Sequence, residues 1–331
     1  MLLQGVFPAI TTPFYPDGRI YFRKLEHNVG KYCLTDVVGL VVLGSTGEVV
    51  MLSDSERRDV LKGAIEAAAP NRIMIAGTGA ESVRSTLEMT NAAAELGYDA
   101  ALVRTPHYYK IQMTPAVMLN FYRTVADRSP LPVLIYSVPP FTGYDIPTDV
   151  VRELAGHPNI IGIKESSGSV EKIKQMAEET AHVRRSGRVT LRRAKGRNDM
   201  VSVGSLTGSA VALEEKTHEV GFQILAGSAQ KMLASLHAGA SGAVLAFGAA
   251  APAACADIHT AFREGDAAGA QAAQAKISEP ATRIASQLGI AGVKYAMDFN
   301  GYYGGNPRLP LLPVGAEVRA EIETLLRDVR G

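Results

Sequence analysis

Short apolar runs recur along the chain at residues 6–10, 39–43, 73–76, 101–103, 133–136, 160–163, 222–225 and 243–245. Each is too short for a helix and too continuously apolar for a strand with one wet face, which predicts strands buried on both faces, as parallel sheets require. Between them lie stretches with helical punctuation. Ser53 with Glu56 makes a capping box that opens a helix running to about residue 69, and Gly97 is placed to end a helix containing residues 86–96. Eight strands alternating with helices predict the α/β class and closure into a (β/α)8 TIM barrel rather than an open doubly wound sheet. The residues after the eighth strand exceed what one barrel helix needs. Segments 252–287, 291–299 and 316–329 read as further helices, a C-terminal helical appendix, so the domain reading is a barrel over 1–250 and an extension over 251–331.

One connection is out of proportion. Between Thr180 and Phe222 the chain carries Arg184, Arg185, Arg188, Arg192, Arg193, Lys195 and Arg197 with no acidic residue among them. A basic run of this kind is either a nucleic-acid contact or a solvated insertion. No aromatics are interleaved, and the whole chain has a formal net charge of +1, so the insertion at about 183–219 is read as solvated surface. It follows a helix and precedes a strand, which places it at the N-terminal face of the barrel, away from where barrel active sites lie.

With 331 residues, 47% hydrophobic and 20% charged, the chain has the composition of a globular protein with a large core. Its two cysteines, Cys33 and Cys255, fit no metal or redox spacing and read as reduced thiols. No targeting segment is evident, and no stretch is apolar for long enough to cross a bilayer, which makes a cytoplasmic location the expectation. Neither nucleic acid nor membrane is an expected partner. The seven histidines show no metal-ligand spacing, and Gly77-Thr78-Gly79-Ala80-Glu81-Ser82 only imitates a dinucleotide fingerprint, so no metal site is expected.

Candidate chemistry sits at the strand ends, because barrel function belongs to the C-terminal ends of strands and the loops after them. The sixth run, Ile160-Ile161-Gly162-Ile163, leads straight into Lys164. A strand-end lysine either snorkels to water or stays in a dry pocket, where desolvation favours the neutral amine that a Schiff-base nucleophile needs. The fifth run ends in Tyr136, so neighbouring strands would set a phenol beside that amine as a proton carrier. The second run ends in Gly44-Ser45-Thr46-Gly47-Glu48, a turn whose N–H groups and hydroxyls could converge on a carboxylate.

These residues carry a resemblance. Gly44-Ser45-Thr46-Gly47-Glu48, Tyr136-Ser137-Val138-Pro139 and Gly162-Ile163-Lys164-Glu165-Ser166 resemble, in order and spacing, the three signatures of the dihydrodipicolinate synthase / N-acetylneuraminate lyase superfamily of class I aldolases. The segments at 129–133, 157–162, 225–229 and 301–305 most resemble 4-hydroxy-2-oxoglutarate aldolase within it. The resemblance implies that Lys164 forms a Schiff base with a 2-oxoacid such as pyruvate and that Tyr136 shuttles protons. It implies that Ser45, Thr46 and Gly47 hold the carboxylate, with Ser45 helping to relay protons. By the same likeness Tyr108 enters a neighbouring subunit's site in a homotetramer built as a dimer of dimers, and Ser166, Phe141 and Gly227 contact substrate. The covalent chemistry requires no cofactor or metal, and the partners implied are a small 2-oxoacid and an aldehyde.

Two features depart from the family pattern. Where the synthases carry an arginine after the tyrosine signature, Pro140 and Phe141 stand here, which argues against condensation with aspartate semialdehyde. The basic insertion is the other. Without that arginine, His107 and Arg84 are the candidates to meet any distal charge. The alternatives are a 2-keto-3-deoxy sugar-acid aldolase, 4-hydroxy-tetrahydrodipicolinate synthase, a non-catalytic oxoacid-binding barrel and a nucleic-acid binder acting through the insertion.

Overall fold

The computed structural model describes residues 1–190 and 215–329. Eight parallel strands form its centre: β1 (Gly5–Pro8), β2 (Gly39–Val42), β3 (Ile73–Gly77), β4 (Ala100–Arg104), β5 (Val133–Ser137), β6 (Ile160–Glu165), β9 (Gln223–Ala226) and β10 (Gly242–Leu245). They pair in sequence order, and β10 returns to β1. The ring closes where Ala9 bridges Val41 and the N–H of Ile10 donates to the carbonyl of Val41 at 3.0 Å. All eight runs read from the sequence are strands of this TIM barrel.

Alternation along each strand divides the apolar side chains into two layers. Phe7, Val41, Ile75, Leu102, Leu134, Leu225 and Val244 fill the barrel interior, whereas Val6, Leu40, Val42, Val103, Ile135, Ile163 and Ile224 face the helices. The interior is crowded enough that Gly162 admits no substitute. A Cβ there would lie 2.2 Å from the carbonyl oxygen of Gln223.

The helices α1 (Phe22–Tyr32), α2 (Asp54–Ala67), α3 (Val83–Leu96), α4 (Pro115–Arg128), the short α5 (Pro139–Thr142), α6 (Thr148–Ala155), α7 (Val170–Glu179) and α8 (Met232–His237) connect the strands. The capping box of Ser53 and Glu56 opens α2, and Gly97 ends α3 in the left-handed conformation at φ 91°. After β10 the chain forms α9 (Pro252–Glu264), α10 (Ala267–Ala281), a π-helical turn (Thr282–Gln287), α11 (Gly289–Phe299) and α12 (Ala316–Leu325). Helix α9 follows β10 and packs on β1.

The long helix expected over 252–287 is broken instead. Gly265 adopts φ 77°, and Asp266 restarts the helix by accepting from the N–H of Gly269. Pro280 then removes one helical N–H, and the backbone relaxes into the π turn.

In the insertion, β7 (Arg185–Thr190) and β8 (Glu215–Val220) pair antiparallel outside the barrel. The guanidinium of Arg185 donates to the carbonyls of Ala155, His157, Pro158 and Ile160, which precede and start β6, so the hairpin roots at the N-terminal face as its place in the sequence predicts. Arg192, Arg193, Lys195 and Arg197 lie outside the described residues.

Candidate active site

The C-terminal mouth of the barrel holds a cavity of about 360 Å³, lined by Ser45 and Thr46 after β2, Tyr136 at the end of β5, Phe141 in α5, Lys164 at the end of β6 and Ser166, Ser167 and Gly168 after it. Lys164 and Tyr136 share the strand parity of the interior residues, so both side chains turn inward. In the β5–β6 ladder Tyr136 is the register partner of Lys164. Lys164 is 4% exposed, and its Nζ stands 4.1 Å from the centroid of the Tyr136 ring. No carboxylate among the described residues pairs with it. Glu165 faces outward, where its Oε2 lies 3.3 Å from Lys172 and its Oε1 accepts from the N–H of Ser167.

Ser45 opens a 3-10 turn (Ser45–Gly47) and brings its Oγ to 3.3 Å from the Tyr136 hydroxyl. The Ser45 hydroxyl and the phenol can therefore pass a proton between them, either one serving as donor. Thr46 lines the same wall. Gly47 does not; it lies behind, where its carbonyl accepts from Thr12 Oγ1 at 2.6 Å.

Across the cavity, Gly227 packs against Ser166 so tightly that a Cβ would fall 2.0 Å from Ser166 Oγ. The hydroxyls of Ser166 and Ser228 are buried without a hydrogen-bond partner. Phe141 lines the rim and is 66% exposed. Tyr108 is 75% exposed and packs edge-on against Tyr109, outside its own chain's cavity. His107 and Arg84 do not line the cavity either. Arg84 pairs with Glu88 on the surface of α3, and His107 Nδ1 lies 2.7 Å from Glu81, which also binds Arg104 at 2.8 Å. Arg104 ends β4 opposite Tyr136 and lines a small recess behind Ser45 and Tyr136; a basic residue at a strand end was the signal that could have found it.

Sequence reasoning missed a whole wall. Ala285 and Ser286 of the π turn and Gly289, Ile290 and Val293 of α11 face the same cavity, and Gln230 reaches Ser286 Oγ at 3.2 Å. The extension is part of the site. Among the described residues no group of His, Cys, Asp and Glu converges as metal ligands. Nor is any described helix long and apolar enough to cross a membrane.

The arrangement is a buried amine, a phenol against it and a hydroxyl relay in an otherwise uncharged cavity. Curated relatives share the chain nearly end to end. A 4-hydroxy-tetrahydrodipicolinate synthase of Methanococcoides burtonii is 30% identical over 328 residues, 99% of each chain. One from an Exiguobacterium species is 29% identical over 321 residues, 97% of this chain and 96% of the relative. Among solved structures, a dihydrodipicolinate synthase of Acinetobacter baumannii complexed with pyruvate superposes with a TM-score of 0.81 at 28% identity, covering 98% of each chain. The model of the dihydrodipicolinate synthetase family matches residues 2–186 and 189–329, and it is to this family that the chain belongs.

Proposed function

We propose that this member of the family is a pyruvate-dependent class I aldolase whose covalent residue is Lys164. The contact of buried Lys164 Nζ with the Tyr136 ring in an otherwise uncharged cavity carries the reading. The amine adds to the 2-oxo carbon, and loss of water leaves an iminium, an electron sink for the bond beyond carbon 3. In cleavage, Tyr136 takes the proton of the hydroxyl at carbon 4 as the bond between carbons 3 and 4 breaks. An aldehyde leaves, and the electron pair stays in the enamine. Protonation at carbon 3 and hydrolysis by water then release pyruvate and restore the amine. Ser45 and Thr46 hold the carboxylate at carbon 1, and Ser45 passes protons to Tyr136. No step calls on a cofactor or metal.

For the aldehyde we infer glyoxylate, which makes the substrate 4-hydroxy-2-oxoglutarate. Its carboxylate is one bond from the reacting carbonyl, so the hydroxyls crowding the centre of the pocket can meet it and no remote cation is needed. Phe141 at the rim supports this choice. The second reading, 4-hydroxy-tetrahydrodipicolinate synthase, is favoured by the names of the full-length relatives. Incubation with each substrate pair and identification of the products decides between them. The exposure of Tyr108 further supports a second copy of the chain placing that tyrosine at its neighbour's cavity, as in a homotetramer; mass measured in solution for wild type and Tyr108→Ala, alongside turnover, tests that placement.

A further inference from the structure

Behind the Ser45–Gly47 turn lies a second buried lysine that the aldol chemistry does not use. Lys294 of α11 is fully buried, and its Nζ lies 2.6 Å from Oε1 of Glu48, itself 1% exposed. The same Nζ donates to the carbonyls of Thr12 at 2.9 Å and Asn306 at 3.0 Å and sits 4.4 Å from the centroid of the Phe14 ring. Oε2 of Glu48 accepts the N–H of Arg308 at 2.8 Å. Two charges are thus taken wholly out of water, and burial pushes the Lys294 ammonium below the usual lysine range even with Glu48 opposing. A well-packed apolar pair often stabilises a fold as well or better, so stability alone does not account for the arrangement.

Its location does. Glu48 directly follows Thr46 and Gly47 and is held at φ 55°, a left-handed conformation that costs energy without glycine and persists only where surrounding contacts enforce it. Thr12, whose carbonyl Lys294 holds, donates its hydroxyl to the carbonyl of Gly47. The turn that presents Ser45 to Tyr136 is therefore gripped from behind at two successive residues, both through Lys294. The neighbouring residue on α11, Val293, lines the cavity.

We infer that Lys294 and Glu48 are positioning residues, an ion pair that locks the Ser45–Gly47 turn so that Ser45 and Thr46 face the bound 2-oxoacid and Ser45 stays within reach of Tyr136. The inference rests on the roles proposed above for Lys164 and Tyr136. It separates two steps of one reaction: at saturating pyruvate, which offsets a weakened hold on the carboxylate, the amine of Lys164 can still form the imine when the turn is displaced, whereas removal of the carbon 3 proton depends on the relay.

Two measurements on the full chain read these steps, with pyruvate as the probe: borohydride trapping on Lys164, and exchange of the carbon 3 hydrogens in deuterium oxide. In Glu48→Gln and Lys294→Met, exchange should slow by roughly 10- to 100-fold while trapping stays within about threefold, since a displacement near 1 Å suffices for such a loss in proton transfer. The double variant Glu48→Gln with Lys294→Met removes both charges, so it should regain soluble, folded protein where Lys294→Met alone does not fold. It should not regain exchange, because the grip on the turn stays broken. Unchanged exchange in the folded variants, exchange and trapping falling together, or full recovery in the double variant would each overturn the positioning role. Failure of wild type to trap pyruvate would instead overturn the assignment of Lys164, and this inference with it.

Discussion

Tyr136 and Lys164 stand directly opposite each other across the β5–β6 ladder, with Lys164 Nζ 4.1 Å from the centroid of the phenol ring. Because register and strand parity set this contact, no loop rearrangement is needed to create it. Reduction with borohydride in the presence of pyruvate should add a stable mass to the peptide carrying Lys164. Lys164→Met should abolish both the adduct and turnover. An adduct on another lysine would move the covalent role elsewhere.

Removing only the phenol oxygen separates packing from proton transfer. Tyr136→Phe keeps the ring beside Lys164 but loses the 3.3 Å contact with Ser45 Oγ. Imine trapping should persist while turnover falls by roughly 10²-fold or more. Equal rates for the variant and wild type would take Tyr136 out of the relay.

The parts of this design that were legible in the sequence are those written in local chemistry. The strands announced themselves by continuous apolar runs, α2 by Ser53 and Glu56, the end of α3 by Gly97, and Lys164 and Tyr136 by their places at strand ends. What escaped depends on residues far apart in the chain. Val293 falls in the helix read over 291–299 and Ile290 just before it, yet packing of α11 over the barrel mouth makes both a wall of the cavity. Lys294 carries no local signal, because its partners, Glu48 and Thr12, lie more than two hundred residues earlier. The break in the helix at Gly265 and Asp266 did have a local signal, hidden by the alanine-rich sequence on either side.

Arg308, on the segment between α11 and α12, should register in the pH dependence of stability. The guanidinium of Arg308 hydrogen-bonds the carboxylate of Glu56 and holds it down at about 2, against an ordinary 4.5. A carboxyl depressed in the folded state adds stability that is fully present above the unfolded value and is lost as pH falls from 4.5 towards 2. The pair is partly exposed, so after solvent screening its worth is on the order of 1 kcal/mol. Arg308→Met should therefore lower stability at neutral pH and flatten the acid limb in urea titrations between those two values. Parallel curves for variant and wild type would show that the pair contributes nothing.

The basic insertion offers a test of which face serves catalysis. Arg185 ties the root of the hairpin to carbonyls of residues 155–160, so that root belongs to the fold and should be kept. Replacing residues 191–214 with a short Gly-Ser link should leave turnover within about twofold, since the strands on either side of the segment root at the N-terminal face, opposite the cavity. A large loss of turnover in a folded variant would show that the segment reaches the cavity or shapes an assembly that the cavity needs.

Specificity is where the sequence speaks through an absence. Phe141 lines the rim at the position where the synthase pattern carries an arginine, and among the described residues the cavity wall holds no cation besides Lys164. The carboxylate of aspartate semialdehyde lies several bonds from its reacting carbonyl. With no guanidinium to meet it there, that group would give up water without a charge-assisted partner in return. Glyoxylate keeps its carboxylate beside the reaction centre and avoids the penalty. The ratio of kcat/KM for cleavage of 4-hydroxy-2-oxoglutarate to that for condensation with aspartate semialdehyde measures this difference in transition-state binding, and it should favour cleavage by roughly 10²-fold or more. Phe141→Arg should shift the ratio towards condensation, by about tenfold for each 1.4 kcal/mol that the new ion pair supplies. If wild type already condenses aspartate semialdehyde efficiently, its carboxylate is met by a group outside this cavity wall, and the choice of glyoxylate falls while the chemistry of Lys164 stands.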